Sequence, residues 1–102
     1  MGPRFGPGFG IGFGIGFLMA RILVRYWAAA RAAAGVDEEQ IDAVDVAGVL
    51  EAVSRGRDAQ FVAVLARSSL LIDGQVLGGR EPSSVQLADG VVVEVLPPFA
   101  GG

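Results

Sequence analysis

The 102-residue chain contains no Cys, His, Lys or Thr. Metal ligation and the common nucleophile–base pairs draw on Cys, His or Lys, so most of those routes are closed and no metal site is expected. The unusual reactive group is the carboxylate of Gly102, at the end of Leu96-Pro97-Pro98-Phe99-Ala100-Gly101-Gly102. Pro97 and Pro98 fix two φ angles and donate no backbone hydrogen bond, so a sheet must end there. Polyproline geometry stiffens the exit and projects the tail. Ala100, Gly101 and Gly102 have almost no side-chain width, so this segment is expected to thread a narrow channel in another protein. Acyl activation suits such a terminus: an enzyme adenylates the carboxylate, and a sulfur or amine nucleophile then displaces AMP. Domains often fray at their ends, but a rigid diproline running into bare glycine favours a functional tail.

Composition narrows the alternatives. The length suits one domain, and an apolar content of 52% predicts a folded chain. A net charge of −3, with no basic run, argues against a nucleic-acid binder. The lack of Cys excludes a disulfide framework and fits a cytoplasmic protein.

The elements that must carry the tail begin after residue 18. Residues 1–18 alternate Gly with Phe and Ile and read as a disordered, low-complexity leader. A secretory signal would need a cleavage site that does not follow, and a membrane span would need a longer run without glycine. The sequence favours an over-extended start, with Met19 the first true residue, or a tail without function. Residues 21–27 (RILVRYW) predict a strand. The alanine-rich stretch 28–34 predicts a helix stopped by Gly35. Residues 40–44 form a weaker strand. Asp45 caps a helix whose apolar stripe is Val46, Val49, Leu50 and Val53. Asp58 opens another helical piece with Phe61, Val62 and Leu65 facing inward. Asp73-Gly74 is the turn of a hairpin between residues 70–72 and 75–77. A loop over 78–84, a turn at Ala88-Asp89-Gly90 and a strand over 91–96 complete an α+β pattern, a mixed sheet with a helix across one face. The acidic run Asp37-Glu38-Glu39 reads as a solvated loop.

These pieces resemble the small subunit of molybdopterin synthase, in the ubiquitin-like sulfur-carrier family of the molybdopterin and thiamine type. The match rests on the strand 22–28 with its Arg-containing helix, the Leu87-Ala88-Asp89-Gly90 turn, the strand 91–95 and the Leu-Pro-Pro-x-x-Gly-Gly ending. The resemblance implies a β-grasp domain over 19–96 and a flexible tail over 97–102. It implies a large synthase subunit, an adenylating (ubiquitin-activating-like) enzyme that uses ATP, and a sulfur donor as partners, with no permanently bound cofactor and no nucleic-acid or membrane partner. Gly102 would become the adenylate and then the thiocarboxylate, with Gly101 beside it, and the active site would lie on the large partner. The sulfur would go to cyclic pyranopterin monophosphate in molybdenum cofactor biosynthesis. Two departures are Val91, where the family usually carries an acidic residue, and a longer loop over 78–84.

In a β-grasp sheet the first and last strands are central parallel neighbours. Alternation then puts Leu23, Arg25 and Trp27 on one face with Val92, Glu94 and Leu96, and Ile22, Val24, Tyr26, Val91, Val93 and Val95 on the other. Arg25 and Glu94 are expected to pair. Trp27 and Leu96, with Pro97, Pro98, Phe99 and Ala100, are expected to form the partner-binding surface. The alternative is that Trp27 folds under the 28–34 helix as core. Other functions left open are a sulfur carrier for thiamine or cysteine synthesis, a ubiquitin-like protein modifier, and a plain binding module.

Overall fold

A computed structural model describes residues 19–98. The leader 1–18 and the tail positions Phe99, Ala100, Gly101 and Gly102 lie outside the described residues. The first strand, β1 (Ala20–Tyr26), alternates buried and open positions along its length. Helix α1 (Ala28–Ala34) follows at once. Ala28 takes a φ of 49°, a left-handed conformation that costs a non-glycine residue about 1 kcal/mol. That sharp corner turns the chain out of the strand and into the helix. Gly35, at φ 82°, closes α1 with its N–H on the Arg31 carbonyl. Here the left-handed geometry is free of cost because glycine lacks a Cβ.

Strand β2 (Glu38–Ala43) returns antiparallel to β1. It starts two residues earlier than the weaker strand expected from residue 40. The acidic run is therefore largely ladder rather than solvated loop. Glu38 and Glu39 each find an arginine, and those pairs extend the strand. Helices α2 (Val46–Ser54) and α3 (Ala59–Arg67) carry the N-caps expected of them. The Asp45 carboxylate accepts from the Gly48 N–H at 2.7 Å, and Asp58 accepts from Phe61 at 2.9 Å. One expectation fails here. Val62 is exposed, because α3 buries only Phe61 and Leu65 fully. A nine-residue helix presents a narrow stripe, and Val62 lies one step of about 100° beyond Phe61.

Strands β3 (Ser69–Ile72) and β4 (Gln75–Val76) form the hairpin around Asp73-Gly74, both at positive φ. A short 3-10 turn at Pro82–Ser84 interrupts the loop, and β5 (Val92–Leu96) is the last strand along the chain. The strand order is β2-β1-β5-β3-β4, with β1 and β5 parallel at the centre. This is the β-grasp arrangement, with three short helices on one face rather than one. Ile22, Val24, Tyr26, Val93 and Val95 point into the core against Val46, Val49, Val53 and Phe61. Burying such side chains stabilises by about 1.5–3 kcal/mol each.

Tyr26 shows how the helices are tied down. Its ring meets Phe61 edge-on at 5.9 Å between centroids. The Arg57 guanidinium lies over both rings and pairs with Glu39 at 2.8 Å. The Tyr26 hydroxyl donates to the same Glu39 carboxylate. Arg57 also donates to the carbonyls of Val53 and Ala34. One half-buried arginine thus joins β1, β2, α1 and α2.

Candidate functional site

The end of β5 is where the tail leaves the fold. Its last ladder positions are Val95, opposite Tyr26, and Leu96, opposite Ser69. The Trp27 N–H donates to the Val95 carbonyl at 3.0 Å, so the strand is held to its last rung. Pro97 and Pro98 follow and are both exposed. Neither has an N–H to donate, so the ladder stops at Leu96 for a covalent reason. The strand that supplies the tail is central, gripped by β1 on one side and β3 on the other. Its direction is therefore fixed.

The face beside this exit is the one turned away from the helices. Leu23, Arg25 and Trp27 from β1 and its exit share it with Val92, Glu94 and Leu96, in the register the alternation required. Trp27 is 42% exposed, so it is not core beneath α1. Its indole lies across β5, with Nε1 donating to Glu94 Oε2 at 3.2 Å. Leu96 is half-buried. The expected Arg25–Glu94 pair does not form. The two are aligned in the ladder, but Arg25 leans to β2 and its Nε meets Glu38 Oε1 at 3.3 Å. An antiparallel edge strand offers a carboxylate directly opposite Arg25, and Trp27 occupies the side of Glu94.

Leu71 also belongs to this face, opposite Glu94 on β3. The sequence reading missed it, since nothing local fixes how β3 registers against a strand twenty residues later. Of the expected site residues, the structure brings Trp27, Leu96, Pro97 and Pro98 to one corner. Phe99, Ala100, Gly101 and Gly102 continue from that corner in the sequence, outside the described residues. On the helical side, an open groove of about 690 Å³ lies between α3 and the β3–β4 hairpin. It is lined mainly by Leu50, Val62, Leu65, Leu70, Val76 and Leu77, with no acid, base or cation.

Burial pushes the Tyr26 phenol well above its ordinary value, and the hydrogen bond to Glu39 adds to this. That group is structural, because it sits inside the core cluster. Among the described residues no cluster of His, Cys, Asp and Glu is arranged to hold a metal ion, and no helix is long and apolar enough to cross a membrane.

The ThiS family profile matches residues 24–102, from the middle of β1 through the last residue. The chain belongs to the ThiS family. As a member it is a ubiquitin-like sulfur carrier. Its fold is shared with small archaeal modifier protein 1 of Methanosarcina acetivorans, at 25% identity and a TM-score of 0.69, over 82% of this chain and 98% of the other. A putative molybdopterin converting factor subunit 1 from Pyrococcus furiosus aligns at 23% identity and a TM-score of 0.60, over 78% of this chain and 99% of that one. A chain of the complex of subunits 1 and 2 of molybdopterin-converting factor from Helicobacter pylori aligns at 20% identity and 0.56, over 80% and 99%. No curated protein matches the sequence.

Proposed function

We propose that the chain is the sulfur-carrying small subunit of a molybdopterin synthase. The observation that carries this reading is the central strand β5, which leads into exposed Pro97-Pro98, after which the sequence reads Phe99-Ala100-Gly101-Gly102. In the proposed cycle a Gly102 carboxylate oxygen attacks the α-phosphorus of ATP on an adenylating enzyme and expels pyrophosphate. Sulfide released by a donor then attacks the acyl carbon and expels AMP, leaving a thiocarboxylate with no change in the oxidation state of the sulfur. The large synthase subunit accepts the tail and moves the sulfur to cyclic pyranopterin monophosphate, and water restores the carboxylate. The chain itself holds no cofactor in this scheme, and ATP is consumed by the partner in the cytoplasm. Trp27, Leu96, Pro97, Pro98, Phe99 and Ala100 dock, while Gly101 and Gly102 enter the partner's active site. The complex of the two Helicobacter pylori subunits supports a large-subunit partner for this fold.

The test is the intact mass of the protein from its native host, with and without the sulfur donor. The expected product carries one sulfur in place of one oxygen, and its absence in both samples would overturn the reading. A second reading, a protein modifier joined through Gly102 to amines, is favoured by the likeness to the archaeal modifier. It predicts larger conjugates that survive denaturation.

A further inference from the structure

The outer face carries one charge that the fold leaves without a cation. Glu94 lies in the middle of β5, and its ladder neighbour Arg25 is engaged with Glu38. Among the described residues its carboxylate receives one hydrogen bond, from the neutral indole N–H of Trp27 at 3.2 Å. A carboxylate accepts about four, so most of its capacity stays open. Apart from Arg25, opposite on β1 and turned toward Glu38, the neighbours are apolar. Leu71 stands directly across on β3, and Val92 and Leu96 flank Glu94 on its own strand. Arg21 and Arg57 are likewise committed, to Asp42 and Glu39. Covering this face with an apolar partner would strand a desolvated carboxylate, at a large cost unless the partner brings a positive charge.

We propose that Trp27 and Glu94 together form the receptor for one arginine side chain of the docking partner. The proposal rests on the carrier reading above, and names the chemistry by which the carrier's partners recognise it. The indole face offers a stacking surface for a planar guanidinium, and the neighbouring carboxylate offers hydrogen-bond acceptors to its fork of N–H groups. The indole N–H holds one oxygen, Oε2, in place. An ammonium would fit the charge but neither the plane nor the fork, so arginine is preferred to lysine. The carboxylate acts as a specificity element: a partner with a leucine or a glutamate at that point is rejected by an unpaired or repelled charge.

Trp27 is the single tryptophan of the chain, so its fluorescence reports the site directly. The probes are the purified large synthase subunit and the purified adenylating enzyme of the same host, titrated into the full chain at low and high salt. Glu94→Gln keeps an acceptor for the indole and removes only the charge. It is expected to weaken binding at least about tenfold and to flatten the salt dependence. Glu94→Lys should abolish binding, and an Arg→Glu change on the partner should restore it. Glu51→Gln, on helix α2, serves as the control. If Glu94→Gln binds both partners as tightly as the unaltered chain, the arginine site is overturned. If the unaltered chain binds the adenylating enzyme but not the large subunit, the molybdopterin reading fails, and Glu94→Gln on the enzyme still decides the site. Dissociation of the isolated chain from dimer to monomer on Glu94→Gln would assign the face to a second copy and overturn the proposal.

Discussion

Two aromatic residues side by side in sequence divide the labour of this chain. Tyr26 points inward, 2% exposed, with its hydroxyl on Glu39. Tyr26→Phe should cost about 1–2 kcal/mol, the penalty for a half-satisfied buried network, measured by urea denaturation. The same group sets an alkaline limit. Its proton is held in the folded state above the ordinary phenol value of about 10, where the unfolded chain has already lost its own. The contribution is therefore complete below that pH and is lost as pH rises through the folded value. Tyr26→Phe should show a flatter decline of stability on the alkaline side, and phenolate absorbance of the sole tyrosine reads the titration directly. Trp27 points outward, so Trp27→Ala should leave the melting temperature nearly unchanged while weakening partner binding by about tenfold or more. An earlier melt with unchanged binding would make Trp27 a core residue after all.

At the level of elements, Gly48 shows why a helix can contain a residue that its propensity disfavours. Replacing a helical glycine by alanine ordinarily gains about 1 kcal/mol. A Cβ at Gly48 would lie 3.3 Å from Asp45 Oδ1 and 3.4 Å from Ala43 Cβ. The same Asp45 oxygen caps α2 by accepting the Gly48 N–H. Gly48→Ala should therefore yield no gain, or a net loss, in thermal denaturation, because the added methyl pushes on the cap. The cap itself was legible in the sequence, as were the bounds of α1, the hairpin at Asp73-Gly74 and the division of β1 into two faces. Each of these is fixed by local chemistry: a capping side chain, a left-handed glycine, a period of two. What stayed hidden depended on partners distant in the chain. The early start of β2 rests on arginines of β1 and of the α2–α3 link, and the fate of Glu94 rests on where the indole at the β1–α1 corner comes to lie. The outward turn of Val62 also escaped, because a single apolar residue beside a stripe has no local mark of which way it faces.

For the molecule as a whole, the carrier reading separates a rigid holder from a slender end. Residues 19–98 supply a folded sheet with a fixed exit, and the chemistry is assigned to a main-chain carboxylate rather than to any side chain. Adding one alanine after Gly102 should abolish molybdopterin formation in a reconstituted assay, with the melting temperature unchanged. Full activity of the untrimmed, lengthened protein would show that the terminus is not the reagent. Lysine is absent from these 102 residues. If the modifier reading held instead, copies could not be linked to one another through lysine side chains, since the chain offers no side-chain amine to receive a second copy.

The parallel contact between β1 and β5 has a mechanical side. One strand begins the described fold, the other ends it, and they lie shoulder to shoulder pointing the same way. Tension applied between the two ends would load all the rungs of that contact together, in shear, instead of peeling them singly. β5 is also braced by β3 on its far flank. A machine that pulled on Pro98 against Ala20 would have to break those rungs at once, and so would meet its greatest resistance there.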